Sequence, residues 1–91
     1  GVSGDVANRM GQMMKDISEN IQVTTITHLP QVASKGAHQY RVYKEDDEQS
    51  THTRISLLSD EERVRSIAAM LGGADIDETA IAAARSLLAQ R

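Results

Sequence analysis

The sequence predicts an α/β fold that forms one part of a larger domain. Five consecutive β-branched residues, Val23 to Thr27, follow an amphipathic helix, and β-branched side chains favour strands for steric reasons. A strand that is covered on both faces normally lies in the middle of a larger parallel sheet. The 91 residues offer no neighbours of that kind. We therefore expect the earlier strands of the sheet to lie upstream of Gly1, so that this chain is the C-terminal part of the domain.

The first predicted element is an amphipathic helix from about Gly4 to Glu19. Ser3 is suited to cap its N-terminus, and Asp5 places an acid in the first turn, where the helix dipole favours negative charge. Apolar residues recur at helical spacing along one side, at Val6, Met10, Met13, Met14, Ile17 and Ile21. We expect the three methionines of this stripe to belong to the core.

The predicted strand Val23–Thr27 leads through His28 and Leu29 into a short helix. Pro30 suits the first position of a helix, and it biases the residue before it towards an extended conformation. Gly36 is a suitable residue to end this helix. The expected order is therefore helix, strand, helix.

Two segments of alternating polarity, 39–44 and 51–57, predict a β-hairpin. The link between them, residues 45–50, contains four acids. Such a segment is too charged to bury, and we expect it to be a mobile loop in solvent.

Two helices are predicted to close the chain. Ser59 followed by Glu62 has the spacing of a capping box, and Gly72-Gly73 marks the end of the helix that it opens. The last helix is expected to open near Asp75 or Asp77. The apolar positions of the two helices are Val64, Ile67, Ala68 and Leu71, and then Ile81, Ala84, Leu87 and Leu88.

Composition excludes several classes of function. The chain has no Cys, which removes disulfide frameworks, Cys-ligated zinc and thiol catalysis. Its longest apolar runs have five residues, far fewer than the roughly 18 to 20 that cross a bilayer. We expect neither a membrane span nor a signal peptide. The net charge of −3 argues against binding of a nucleic-acid phosphate backbone by this chain alone.

His28 is the first candidate for a functional residue. It follows the end of the predicted central strand, and open α/β sheets bind ligands outside the carboxyl ends of their strands. An imidazole at this place could donate a hydrogen bond or exchange a proton with a phosphate or an attacking water near pH 7. The alternative is a structural histidine that caps the strand end or bonds a loop carbonyl.

The second candidate is the small-residue turn Gly1-Val2-Ser3-Gly4, which opens a helix. Such a turn could approach an anion or another subunit closely. The alternative is an ordinary capped helix start.

Two other kinds of site are rejected. The three histidines, at 28, 38 and 52, lack the short spacing of metal ligands. The basic residues of the hairpin, Arg41, Lys44 and Arg54, lie beside an acidic loop and lack a series of stacking aromatics, so a solvated face is a better interpretation than a nucleic-acid surface.

Several of these segments together resemble the end of the ATPase head of the RecN family of bacterial DNA repair proteins. The resemblance covers essentially the whole chain, and the run THLPQVA is specific among relatives of the structural-maintenance-of-chromosomes (SMC) type. It rests on Gly1-Val2-Ser3-Gly4 before a helix, Thr27-His28-Leu29-Pro30-Gln31-Val32-Ala33, Glu61-Glu62-Arg63, Ala69-Met70-Leu71-Gly72-Gly73, Ala84-Arg85 and Leu87-Leu88.

The resemblance implies a fragment of a P-loop NTPase head of the ABC and SMC type. In that family two heads, linked by a coiled coil, sandwich ATP and act in recombinational repair of DNA double-strand breaks. The implied C-terminal lobe, residues 1–91, has three parts: 1–36 with the D-loop helix, a strand and the H-loop, 37–58 with the hairpin, and 59–91 with two helices.

The resemblance also implies roles for both candidate sites. His28 would be the switch histidine, which senses the γ-phosphate and helps to orient the attacking water. Gly1, Val2, Ser3 and Gly4 would form the tail of the D-loop at the interface between two heads.

The other ATP-site motifs of the family are not in this sequence. Walker A, the Q-loop, the signature motif and Walker B with its catalytic Glu would all precede Gly1. We therefore expect ATP and Mg²⁺ to bind the intact parent, and expect this chain alone to bind neither and to be inactive. The implied partners are the upstream part of its own head, a second head in an ATP-dependent dimer, and DNA through the parent. The implied location is the cytoplasm, at the nucleoid, away from membranes.

Two other interpretations stay open. The chain could be a stand-alone protein-interaction module with a structural His28, or a lobe of another SMC-like ATPase. Walker A, a long heptad region and Walker B encoded upstream of Gly1 would favour an ATPase head over a module.

Overall fold

A computed structural model describes residues 2–73 and 75–91 of the chain. The elements follow in the order α1 (Gly4–Ser18), α2 (Pro30–Ala33), β1 (Tyr40–Asp46), β2 (Thr51–Leu57), α3 (Asp60–Gly72) and α4 (Glu78–Ala89). The predicted mixture of helices with an antiparallel hairpin is confirmed. Within the described residues, no helix is both long enough and apolar enough to cross a membrane.

The core lies between α3 and α4. Its buried residues are small or aliphatic, namely Val64, Ile67, Ala68, Ala80 and Ala84. Ile67 is completely buried, and the alanines of α4 let the two helix backbones approach closely. Ala33, at the end of α2, packs against the same cluster. This core therefore holds the C-terminal helices together and anchors α2 to them.

Side chains cap the three longer helices, and the caps predicted at Ser3 and Ser59 are confirmed. Ser3 accepts a hydrogen bond from a first-turn amide of α1. The predicted capping box of α3 is present, because the Glu62 amide donates to Ser59 Oγ over 3.2 Å and the Ser59 amide donates to Glu62 Oε1 over 2.8 Å. Asp77 caps α4. These bonds satisfy amide groups that a helix N-terminus otherwise leaves without partners.

The apolar stripe of α1 is largely uncovered. Met13 is 61% exposed, and Met10 and Met14 are only partly buried. The prediction that the methionine cluster belongs to the core is therefore wrong for this chain. The reason is that α2 is the only described helix or strand that contacts α1, and it covers the side that carries Ala7 and Gly11, which are buried.

The strand predicted at Val23–Thr27 is not formed. Residues 22–29 have no regular secondary structure, and Ile26 is 100% exposed. In the described part of the chain, β1 and β2 are the only strands, and they pair with each other. Among the described residues the segment therefore has no neighbouring strand with which to share backbone hydrogen bonds, and β-branched composition alone does not supply one.

The predicted hairpin is confirmed, with a second strand at the predicted residues and a first strand that begins one residue later and ends two residues later than expected. Its register pairs Tyr40 with Leu57 and Val42 with Ile55, which places these four apolar side chains on one face. All four are exposed. The hairpin therefore presents an apolar surface that the described residues leave uncovered.

The acidic link is shorter than predicted, because β1 includes two of its four acids and extends to Asp46. The remaining turn is closed by Asp47, whose Oδ1 accepts hydrogen bonds from the amides of Gln49 and Ser50, both over 2.8 Å. Asp side chains commonly close turns in this way. The bonds from these two amides are the main reason that the pKa of Asp47 is lowered.

Candidate functional site

His28 lies between the irregular segment 22–29 and the start of α2. The Leu29 amide donates a hydrogen bond to Thr27 Oγ1 over 3.0 Å, which closes a small turn around His28. The imidazole itself is exposed, and it forms no hydrogen bond with the described residues. The predicted alternative, a histidine that bonds a loop carbonyl, is therefore not seen in this part of the chain, and the ring is available to a group from outside it.

Helix α2 fixes the backbone that follows His28. The Leu29 carbonyl accepts hydrogen bonds from the Val32 amide, over 3.0 Å, and from the Ala33 amide, over 2.9 Å. Pro30 and Val32 are buried. Since the first turn of α2 bonds back to the residue next to His28, the position of His28 depends on how α2 is held.

Helix α2 ends three residues before the predicted stop at Gly36. After Ala33 the hydrogen bonds join residues three apart instead of four. The Lys35 amide donates to the Val32 carbonyl over 3.1 Å, and the Gly36 amide donates to the Ala33 carbonyl over 3.4 Å. Such shorter-range bonds are common in the last turn of a helix. They leave carbonyl oxygens available for another donor.

That donor is Arg63 of α3, a residue that the sequence reasoning did not single out as functional. Its side chain is only 4% exposed and reaches back across the fold to the end of α2. Its Nε donates to Gln39 Oε1 over 3.2 Å. Its two terminal nitrogens donate to four backbone carbonyls, those of Ala33, Ser34, Gly36 and Ala37.

Burial is the first cause of a lowered pKa for Arg63, and the nearby charge of Arg91 adds to it, while Asp60 acts in the opposite sense. The guanidinium nevertheless stays protonated at neutral pH. One sequence signal could have pointed to it. Arg63 precedes Ile67 by one helical turn, which puts a basic residue on the apolar face of α3.

The second candidate, residues 1–4, lies at the start of α1, and Gly1 falls outside the described residues. Val2 is exposed and Ser3 is the helix cap. A Cβ on Gly4 would lie 3.4 Å from Nε2 of Gln31, which belongs to α2. The structure thus brings the start of α1 beside α2, although no hydrogen bond among the described residues joins His28 to residues 2–4.

Helices α1 and α2 cross closely at Gly11. A Cβ at this position would lie 2.6 Å from the Gln31 carbonyl oxygen and 3.3 Å from Val32 Cα. Any other residue would therefore push the two helices apart. Gly11 and Arg63 fix α2 from two sides.

Several charged residues of the hairpin form local surface contacts. His52 Nε2 lies 3.0 Å from Asp47 Oδ2, and the Arg41 guanidinium lies 4.4 Å from the ring centroid of Tyr43. Arg54 faces Glu45 across the hairpin at 4.0 Å. Arg41 and Arg54 therefore have partners within the hairpin itself.

Among residues 2–73 and 75–91, no group of three or more His, Asp or Glu side chains could hold a metal ion. The sequence also lacks the glycine-rich GxxxxGK[ST] loop that cradles phosphate groups. That ATP and Mg²⁺ are held by residues outside this sequence stays a prediction.

Comparison with known proteins bears on the predicted family. No family model matches the chain. The chain is 43% identical to the DNA repair protein RecN of Haemophilus influenzae over 88 residues. It is 46% identical to RecN of Xylella fastidiosa and 40% identical to RecN of Streptomyces coelicolor, each also over 88 residues. The chain matches a C-terminal portion of RecN.

The predicted resemblance to RecN is thereby confirmed. Each of these matches covers 97% of the chain, and the chain spans about 16% of the length of the Haemophilus and Xylella RecN proteins. The RecN match therefore includes α1, the His28 segment, the hairpin and both C-terminal helices. The comparison does not favour the alternative of an unrelated interaction module.

Proposed function

We propose that this chain is the C-terminal lobe of the ATPase head of a RecN-type protein that acts in recombinational repair of DNA double-strand breaks. The observation that carries the proposal is the match to RecN proteins along 97% of the chain. The exposed imidazole of His28, at the start of α2, supports it. The lobe contributes side chains to an ATP site that residues outside this sequence complete.

In this proposal His28 is the switch histidine. Its ring donates a hydrogen bond towards the phosphoryl group that is transferred, where negative charge must be stabilised, and helps to orient the attacking water. A neutral imidazole can serve as donor or acceptor, so a ring without an internal partner suits this role. The chain supplies the donor and its position, and the nucleotide is held elsewhere.

The start of α1 has the second role. Residues Gly1 to Gly4 are the tail of the D-loop and face the second head of an ATP-dependent dimer. The short distance between Gly4 and Gln31 of α2 supports a link between this interface and the His28 segment. Movement of the second head would then change the position of the start of α2.

The uncovered apolar surfaces have a place in the same proposal. The stripe of α1 and residues 22–27 pack against the upstream part of the head, where Val23–Thr27 joins the central sheet as a strand. Burying this surface supplies the stabilisation that it cannot gain within the present chain. The whole protein, of which this chain is one part, binds DNA. It acts in the cytoplasm at the nucleoid.

Steady-state ATP hydrolysis by the full-length protein tests the proposal. His28→Ala should lower turnover by about 100-fold or more, which is the usual loss when one positioned transition-state donor or proton-transfer group is removed. Nucleotide affinity, measured on the same samples, should change little, because other residues hold the nucleotide.

His52→Ala is the matched control, since His52 is an exposed histidine of the same chain whose contacts are those of the hairpin turn. It should hydrolyse ATP at the wild-type rate. Normal turnover by His28→Ala would contradict the proposed role of His28. Wild-type protein that neither binds nor hydrolyses ATP would contradict the ATPase assignment itself.

A further inference from the structure

We propose that Arg63 is a positioning residue for the His28 segment, acting through α2. The inference rests on the proposed function for its effect on ATP turnover, while its structural part stands on the contacts described here. Arg63 does not contact His28. It holds the far end of the helix whose first turn bonds back to the residue next to His28.

The contacts of Arg63 converge on one place. Its guanidinium donates to the Ala33 carbonyl over 3.0 Å and to the Ser34 carbonyl over 3.4 Å. It also donates to the carbonyls of Gly36 and Ala37. These oxygens lie at and just after the C-terminal end of α2, where carbonyls lack the amide partner four residues on and the dipole favours a positive charge.

A second residue holds the guanidinium itself in place. Gln39 Oε1 accepts from Arg63 Nε, and Gln39 Nε2 donates to Ser66 Oγ over 2.8 Å. Ser66 lies on α3, three residues after Arg63. The amide group of Gln39 is therefore held through both its oxygen and its nitrogen, and it keeps Arg63 Nε in place. The partners of the buried guanidinium are backbone carbonyl oxygens and the amide oxygen of Gln39. Within residues 2–73 and 75–91, none of the ion pairs includes Arg63.

The route to His28 has two hydrogen bonds. Arg63 Nη2 donates to the Ala33 carbonyl, and the Ala33 amide donates to the Leu29 carbonyl over 2.9 Å. Leu29 adjoins His28 in the chain. A shift of Ala33 therefore moves the backbone that carries the imidazole, and misplacement by about 1 Å can lower a catalysed rate about 100-fold.

Only an arginine can make this set of contacts. A guanidinium has five N–H donors in a rigid planar fork, whereas a lysine ammonium is a single point with three donors. Arg63→Lys keeps the charge but reaches only part of the oxygen cluster, and Arg63→Met keeps most of the apolar stem and loses all donors. The two variants therefore separate donor geometry from charge.

The test uses the full-length protein and a double-mutant cycle between Arg63 and His28. Arg63→Met should lower the turnover number about 10- to 100-fold, with ATP affinity within about threefold of wild type, and Arg63→Lys should fall between the two. In the His28→Ala background, Arg63→Met should lower turnover by no more than about a further twofold, since Arg63 acts through His28. Equal losses in both backgrounds would overturn the proposal.

Amide hydrogen exchange on the same samples directly tests the structural part of the proposal, namely that Arg63 holds residues 27–37. Arg63→Met should speed exchange in residues 27–37 and leave the hairpin strands unchanged, and unchanged exchange in 27–37 would overturn the proposal. If His28→Ala hydrolyses ATP normally, the proposed role of His28 fails, and exchange in 27–37 alone decides whether Arg63 holds the segment. Should Arg63→Met not fold, Arg63→Lys takes its place in both experiments. Arg85→Met, which removes an exposed arginine paired with Glu61, is the control and should match wild type.

Discussion

Helices α3 and α4 bury their apolar faces against each other, whereas α1 and residues 22–29 leave theirs open. Ile67 of α3 is fully buried. The other region also contains aliphatic residues and methionines at helical or strand spacing. Its Ile26 is nevertheless fully exposed and its Met13 is mostly exposed. The difference shows that sequence pattern makes a residue suitable for burial, while burial itself requires a partner surface.

The candidate site lies where these two regions meet. Helix α2 contacts α1 through the close approach at Gly11 and contacts α3 through Arg63. The His28 segment is therefore held on one side by a region with its own core and adjoins, on the other side, a region that lacks one. In the proposed ATPase head, this arrangement would let the position of His28 respond to whatever covers the N-terminal region.

The largest expected effect comes from breaking the core of the C-terminal region. Ile67→Ala should lower the free energy of unfolding of the 91-residue chain by about 2–5 kcal/mol, the usual cost of truncating a buried aliphatic side chain. Met13→Ala, at a mostly exposed position, should cost less than about 1 kcal/mol in the same chain. Urea unfolding followed by circular dichroism measures both.

The same pair of variants sharpens the comparison when it is repeated in the full-length protein. If the stripe of α1 is covered there, Met13→Ala should cost about 2 kcal/mol or more. Equal costs for Met13→Ala in the two contexts would count against the proposed cover.

A smaller effect is expected from Gly11→Ala, which attacks the contact between the two regions. The added Cβ would overlap the Gln31 carbonyl, a backbone atom that cannot rotate away, and such overpacking typically costs about 1–3 kcal/mol. Part of this cost is offset by the higher helix propensity of Ala. Gly4→Ala is the control, because its nearest neighbour is the flexible end of the Gln31 side chain. A Gly11→Ala chain as stable as the Gly4→Ala chain would show that α1 and α2 do not cross as described.

The smallest effect is the acid dependence of the α3 cap. The pKa of Glu62 is lowered from its ordinary value of 4.5, chiefly by the hydrogen bond from the Ser59 amide. Its folded pKa is below its unfolded pKa, so its contribution to stability is present above the unfolded value and is lost as the pH falls through the folded value. Glu62→Gln should therefore show a smaller drop in urea midpoint between about pH 7 and pH 3 than wild type.

Glu78→Gln provides the comparison for this acid effect. Glu78 lies in the first turn of α4, which is capped by Asp77 instead. The midpoint of Glu78→Gln should fall between pH 7 and pH 3 as that of wild type does. If Glu62→Gln also loses as much stability as wild type, the capping box does not contribute to the acid dependence.

Local signals allowed much of the C-terminal region to be predicted. Ser59, Glu62 and Asp77 define helix starts by hydrogen bonds within a few residues, and the hairpin follows from alternation in two neighbouring segments. Such features depend on nearby residues, which a single sequence displays. The predicted strand at Val23–Thr27 and the predicted burial of Met13 require neighbouring strands and helices that the described residues do not provide, and both predictions were wrong for this chain.

The candidate site was predictable only in part. His28 was found from its place after a β-branched run and from a specific family resemblance, and its proposed role is still a prediction. Arg63 was missed because its partners are backbone carbonyls 26 to 30 residues earlier in the chain. Periodicity shows that Arg63 shares a helix face with Ile67, but not which oxygens it meets.

In the proposed head, the rest of a RecN-type protein completes the N-terminal region and the strand that this region is suited to form. Amide hydrogen exchange of the isolated 91-residue chain, compared with the same residues in the full-length protein, tests it most directly. We expect residues 22–27 to exchange rapidly in the isolated chain and to become strongly protected in the full-length protein, while α3 and α4 are protected in both. Equally rapid exchange of residues 22–27 in the full-length protein would contradict it.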